Sequence, residues 1–144
     1  MEIRKASPAD SMVLGCLATR MWDHDAQALA DEFAELTASD EAACFLAVDD
    51  DQAVGFAQCQ LRHDYVEGCH TSPIGFLEGI YVSETHRHSG IAQSLLSACE
   101  DWARSLGCTE FASDCEIDNL ASLAWHLKSG FSEMSRTIWF AKKL

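Results

Sequence analysis

The run Glu78-Gly79-Ile80-Tyr81-Val82, followed after four residues by Arg87-His88-Ser89-Gly90-Ile91-Ala92 at the mouth of an apolar helix, constrains the fold more than any other part of the chain. It reads as a strand delivering a glycine-containing turn into a helix. The first backbone N–H groups of a helix have no intrahelical partner, and they point along the helix dipole at whatever anion sits there. Gly90 lets the backbone come close, Ala92 adds little bulk, and Arg87 supplies a charged contact. Neither a G-x-G-x-x-G fingerprint nor a P-loop Gly-Lys-Ser/Thr is present. The turn is a phosphate cradle of another kind, with His86 and His88 flanking it.

The elements around the cradle follow from periodicity and punctuation. Residues 2 to 6 read as a short strand, and Ser7-Pro8-Ala9-Asp10 offers an N-cap, a proline at the first helical position and an acid three residues after the cap. The pattern predicts a helix from Pro8 to about Met21, with Met12, Cys16 and Leu17 inward, and a second from Asp25 to Thr37 carrying Leu29, Phe33 and Leu36. Strands Ala43 to Val48 and Gln52 to Arg62 form a hairpin around the acidic turn Asp49-Asp50-Asp51, and a third strand runs from Gly75 to Val82. Strict alternation puts Phe76, Glu78, Ile80 and Val82 on one face of that strand and Leu77, Gly79 and Tyr81 on the other. After the cradle helix, stopped by Gly107, come a strand at Cys108 to Asp114, a helix at Asn119 to Ser129 ended by Gly130, and a last pair of short strands within Phe131 to Lys142. This is an α/β chain with a mixed, mostly antiparallel sheet flanked by helices, read as one domain over residues 1–144.

Composition narrows the partners. A net charge of −13 argues against a duplex nucleic acid or an anionic membrane surface and suits a small polycation, although acidic surfaces also simply keep proteins dispersed. The seven cysteines are odd in number and form no C-x-x-C pair, and the histidines show no metal-ligand spacing, so no metal is inferred. The N-terminal residues lack a secretory apolar stretch, and no segment is long enough to span a bilayer, which points to the cytoplasm.

A second element joins the cradle: Asn119 near a helix start, followed by the exit Gly130-Phe131. Together the two resemble the Gcn5-related N-acetyltransferase (GNAT) superfamily, in which the R-x-x-G-x-G/A turn holds the acetyl-CoA pyrophosphate and the Asn-to-Gly-Phe helix lies beside the pantetheine. The strings Leu61-Arg62-His63-Asp64-Tyr65-Val66-Glu67-Gly68-Cys69, Ser72-Pro73, Phe76 to Val82 and Phe111-Ala112-Ser113-Asp114 look, more closely, like the aminoglycoside 6'-N-acetyltransferases, and the match runs nearly end to end. The resemblance implies the acyl-CoA N-acyltransferase fold, acetyl-CoA as cosubstrate, aminoglycosides as acceptors, antibiotic resistance as outcome and a homodimer. It also gives roles to single residues. Trp22, Tyr65, Glu78 and Asp114 correspond to acceptor-site residues, and Asn119 to a residue beside the pantetheine. His126 stands where many members have a tyrosine that protonates the departing thiolate, a place equally consistent with a packed residue. The chain departs from close relatives at Ser135, which replaces a glutamate just before Arg136.

The residues support such chemistry on their own terms. An amine attacks a thioester only when unprotonated, so the site must hold a cation and still let a proton leave. Glu78 is placed on its strand to accept that proton, directly or through water; the bland alternative is a strand carboxylate paired with an Arg or Lys. Backbone N–H groups of Ile80, Tyr81 and Val82 can bond the pantetheine and polarise the thioester carbonyl. Asp114 ends its strand, where open α/β sheets place ligand groups, and alternatively caps the next helix. No cysteine is marked as an acyl carrier, so direct attack in a ternary complex is expected. Two alternatives stay open: an N-acetyltransferase of the same fold for a polyamine or protein N-terminus, and a non-catalytic acyl-CoA-binding module.

Overall fold

Asp50 and Asp51 both adopt positive φ, 47° and 63°, so the acidic turn is the tight two-residue connection whose twist matches a hairpin. The computed structural model, which describes residues 1–144, builds the sheet outward from that hairpin. Strands β1 (Glu2–Lys5), β2 (Ala42–Asp49), β3 (Gln52–Arg62), β4 (Ile74–Val82) and β5 (Phe111–Ser113) lie in chain order across one sheet. The first four are antiparallel, and β5 joins β4 in parallel. Helices α1 (Ser11–Ala18) and α2 (Ala26–Ala38) cover one face, α3 (Ile91–Ser105) packs on the other, and α4 (Leu120–Lys128) follows β5.

Each boundary has a local cause. The Asp10 carboxylate accepts from the Ser7 backbone N–H at 2.9 Å and is gripped by Arg4 through two bonds of 2.9 Å, which hold its pKa down at about 2. Pro8–Asp10 consequently forms a separate 3-10 turn, and the expected helix Pro8 to Met21 is shortened to Ser11–Ala18. Its inner residues are Leu14, Gly15 and Ala18; Met12 and Cys16 are exposed, contrary to the periodic reading, because α1 turns its glycine against α2. A Cβ on Gly15 would stand 2.6 Å from the Ala26 carbonyl oxygen and 2.9 Å from the Ala30 nitrogen. Asp25 caps α2 by accepting from Gln27 and Ala28, and Gly107, at φ 88°, follows the end of α3.

The sheet core splits in two. Ala43, Ala57, Cys59, Leu77, Leu95, Leu96 and Cys99 are among the buried residues beneath α3, while Leu14, Leu29, Phe33, Cys44, Leu46 and Phe56 pack under α1 and α2. Burial pushes the Cys44 thiol up to about 12, so this cysteine behaves as a small hydrophobe. Cys16 and Cys115, by contrast, are exposed. No helix is long and apolar enough to cross a membrane.

Three expectations fail beyond the α1 face. Strand alternation breaks in β4, because Gln58 faces Gly79 while Cys59 faces Leu77, leaving Glu78 as an extra, bulged residue. Leu77, Ile80 and Val82 therefore share the α3 side, and Phe76 and Glu78 are left on the other. The strand expected from Cys108 to Asp114 is only Phe111–Ser113, since the Cys108 N–H still bonds back to the end of α3 and pairing with β4 stops at Leu77. The last strand pair does not form: after Phe131, which packs beside Phe111 and Trp125, residues 132–144 have no strand partner within the chain.

Because the contact at Gly15 is with backbone, Gly15→Ala is expected to lower the unfolding free energy by about 1–3 kcal/mol, measured by urea denaturation.

Candidate active site

The bulge at Glu78 is where two strands part company. β4 and β5 pair only from Gly75↔Phe111 to Leu77↔Ser113; beyond that point Gly79–Val82 has no strand on its β5 side. A parallel pair that ends in mid-sheet leaves an opening between its carboxyl ends, and backbone groups along it are free to meet a ligand. Ile80, Tyr81 and Val82 lie along this opening, with the Val82 carbonyl taken by Arg87 Nε.

At the far end of β4 the chain makes a 3-10 turn at Glu84–His86 and enters α3 through Gly90, whose φ of 86° places it in the left-handed region. No side chain caps α3, and a Cβ at Gly90 would meet nothing within 4 Å. The helix start is thus an open set of donors, the geometry an anion requires. Ile91 is anchored in the core, Ser89 donates its hydroxyl proton to the His86 carbonyl at 2.5 Å, and His88 is exposed with φ 62°. Arg87 folds back, its Nε donating to the Val82 carbonyl at 2.8 Å with the guanidinium 5.7 Å over the Tyr81 ring, so the remaining N–H groups are what it offers a phosphate. His86 is held between Asp49 (3.1 Å) and the Ser83 and Thr85 hydroxyls, tying the hairpin tip to the turn.

On the α1–α2 side of β4, Glu78 is paired. Arg62, at the end of β3, donates to both carboxylate oxygens at 2.9 and 3.0 Å through Nη2 and at 3.3 Å through Nε, while its guanidinium lies 3.6 Å from the Phe76 ring centroid. The Glu78 side chain keeps 18% of its surface exposed and that of Arg62 38%, so the pair reaches solvent. Both readings of Glu78 thus have a physical basis, since the carboxylate is partly exposed and has an arginine partner. Arg62 itself went unrecognised, because only the fold brings it opposite the bulge, sixteen residues away in sequence.

Trp22 lies so close to the strand that a Cβ at Gly79 would come within 2.7 Å of its ring, and it meets Phe56 edge-on at 6.1 Å. It packs and borders the Glu78 side at once. Tyr65 is 76% exposed on the loop after β3, and Asp114 is exposed immediately after β5; neither is hydrogen-bonded to Glu78. Asp114 caps nothing, since Asn119 caps α4 by accepting from the Ser122 N–H at 3.1 Å. Glu133, three residues after the glycine stop at Gly130, pairs with Arg136 at 2.7 Å and not with Glu78's surroundings.

Residues 13–131 match the acetyltransferase (GNAT) family. The chain belongs to that family. Among curated proteins, it is 40% identical over 144 residues to an aminoglycoside N(6')-acetyltransferase type 1 of Acinetobacter haemolyticus, covering 100% of this chain and 99% of the relative. A second, from Stenotrophomonas maltophilia, is 41% identical over 143 residues, with coverages of 99% and 93%. The crystal structure of the apo 6'-N-acetyltransferase AAC(6')-IG from A. haemolyticus superposes with a TM-score of 0.94 at 40% identity, covering 100% and 99%. AAC(6')-Iy in complex with the bisubstrate analog CoA-S-monomethyl-acetylneamine does so at 0.93 and 36% identity, covering 99% and 98%. The five-stranded mixed sheet with its four helices is the GNAT fold.

In this GNAT chain His126 sits at the fork between β4 and β5. Its Nδ1 lies 2.7 Å from the Ser122 carbonyl and its Nε2 2.8 Å from the Ser113 hydroxyl, which is 3.2 Å from the Leu77 carbonyl. The imidazole therefore staples α4 to β5, while Trp125 and Phe131 flank it at 4.9 and 5.1 Å. His126→Ala and Ser113→Ala are each expected to cost about 1–2 kcal/mol of stability, with the double variant clearly less than additive in denaturation measurements.

Proposed function

We propose that the protein transfers the acetyl group of acetyl-CoA to the 6'-amine of aminoglycoside antibiotics, by direct attack in a ternary complex, and so confers resistance. The observation that carries this reading is the coincidence, in one full-length relative of 6'-N-acetyltransferases, of an open anion-binding helix start at one end of β4 and a partly exposed carboxylate at its bulge. The alternatives with another amine or with no acceptor find no comparable support.

Acetyl-CoA supplies the activated acyl group. The uncapped start of α3, with Arg87 through Ala92, suits its pyrophosphate, and the open edge at Ile80, Tyr81 and Val82 suits the pantetheine and the thioester carbonyl. Asn119 serves this side by fixing where α4 begins. Glu78 receives the acceptor amine: its carboxylate bonds the ammonium, orients it, and takes its proton directly or through water. Because Arg62 already occupies both carboxylate oxygens, the amine shares this acceptor with a guanidinium, and orientation is the larger part of the role. Trp22, Tyr65 and Asp114 line the acceptor side, the aromatics as flat walls and the carboxylate for a second ammonium. His126 donates a proton to the leaving thiolate. With Nδ1 engaged by the Ser122 carbonyl and Nε2 by the Ser113 hydroxyl, the proton moves by relay: Nε2–H passes to the Ser113 oxygen as that hydroxyl leaves the Leu77 carbonyl and gives its own proton to the thiolate. Acetylation turns a cationic ammonium into a neutral amide.

A homodimer and a cytoplasmic location complete the reading. Ile138, Trp139 and Phe140 are 78%, 90% and 91% exposed, and α4 has no fully buried residue, an apolar surface that a second copy covers. Seven free thiols suit a reducing compartment.

With purified protein and acetyl-CoA, 6'-amino aminoglycosides are expected to be acetylated and 6'-hydroxy analogues lacking that amine are not; acetylation of both at equal rates, or of neither, overturns the assignment. Glu78→Gln is expected to lower kcat/KM for the aminoglycoside roughly hundredfold. Trp139→Ser is expected to shift the protein from dimer to monomer in size-exclusion chromatography with light scattering.

A further inference from the structure

The loop between β3 and β4, residues 63–73, carries Tyr65 and has no regular structure of its own; His63 at its start pairs with Glu41 at 3.0 Å, and its far side is tied by a carboxylate forty residues away in sequence. One oxygen of Glu110, the residue before β5, accepts from the His70 N–H at 2.8 Å, the Thr71 N–H at 2.7 Å and the Thr71 hydroxyl. The Glu110 backbone carbonyl also accepts from the Gly75 N–H at 3.2 Å, where β4 begins. At the base of the loop the Ser72 hydroxyl donates to the His63 carbonyl at 2.7 Å, and Gly68, at φ 83°, is pressed against Met134. Three donors converging on one ionised oxygen form a far stronger tie than an ordinary exposed hydrogen bond. Those bonds, the Thr71 hydroxyl first, also hold the Glu110 carboxyl below the usual glutamate range, so the tie stays intact at assay pH.

We propose that Glu110 is a positioning residue for acceptor binding: it latches the Tyr65 loop to the start of the strand that ends at Asp114, and so sets the width of the acceptor cleft. β5 is only three residues long, so a side chain fixed at one end of it is rigidly related to Asp114 at the other. Without the latch, the loop keeps only the His63–Glu41 pair at 3.0 Å, the contact of Gly68 with Met134 and its own turns, none of which ties it to the strand ending at Asp114, and ordering it becomes a cost of binding substrate. The inference rests on the reading of Tyr65 and Asp114 as aminoglycoside contacts. It assigns nothing to the acetyl-CoA side.

The test is steady-state kinetics on the whole protein with a 6'-amino aminoglycoside, joined to hydrogen exchange at the loop amides. Glu110→Ala is expected to raise the aminoglycoside KM roughly tenfold while kcat and the acetyl-CoA KM stay within about twofold. Glu110→Gln, whose amide oxygen still accepts, recovers most of that loss. Thr71→Val removes one bond of three and moves the same KM less. Exchange at His70 and Thr71 should rise in Glu110→Ala and stay near wild type in Glu110→Gln. An unchanged aminoglycoside KM in folded Glu110→Ala, or a rise in both KM values together, overturns the positioning role; unchanged exchange overturns the latch itself. If the wild type acetylates no aminoglycoside, the functional reading fails instead, and the exchange rates alone decide whether the loop is latched.

Discussion

The extra residue in β4 is the constraint from which the rest of the site follows. By placing Glu78 opposite no partner, the bulge flips the strand's faces, so that Leu77 and Val82 both feed the α3 core although five positions apart. The same flip leaves Glu78 on the side of Arg62, Phe76 and Trp22. It also coincides with the end of β4–β5 pairing, which opens the edge of Ile80 to Val82. A regular strand in this position would carry its ladder further and bury its edge groups in hydrogen bonds. One inserted residue thus sets the Glu78 carboxylate and the open edge of β4 apart at a single point.

Electrostatics divides along the same line. The Val82 end of β4 leads to an uncapped helix start, an arginine and the exposed His88, groups suited to phosphates. The acceptor side belongs to a chain of net charge −13 and offers carboxylates. Within it Arg62 is the exception. A carboxylate in a strand otherwise rich in apolar side chains needs a partner before substrate arrives, and a guanidinium stacked on Phe76 provides a fixed one. The pair holds the Glu78 carboxylate in one orientation on the α1–α2 side of β4.

The local grammar of the chain was legible residue by residue. Asp50-Asp51 as a tight turn, helix starts at Asp25 and Asn119, Gly107 and Gly130 as stops, and β3 over Gln52–Arg62 were all readable from the chain, whereas the cap expected as an alternative at Asp114 falls instead to Asn119. What escaped depends on partners distant in sequence. Alternation in β4 was broken by its pairing with β3, Met12 and Cys16 were turned outward by the contact of Gly15 with α2, and the strand after Cys108 shortened where its neighbour bulged. The apolar run Ile138-Trp139-Phe140 has the composition of a strand, but a strand requires a neighbour, and the chain supplies none.

From its sequence alone this chain declares an anion-binding turn between a strand and a helix, a family and a carboxylate on the strand leading in, because these are contiguous strings whose chemistry is local. Tertiary structure alone decided that Glu78 bulges, that Arg62 grips it, that His126 staples the fork through Ser113 and that Glu110 ties the Tyr65 loop. Each of those contacts joins residues thirteen to forty positions apart, and their geometry exists only once strand register and helix packing have brought the partners within hydrogen-bond reach.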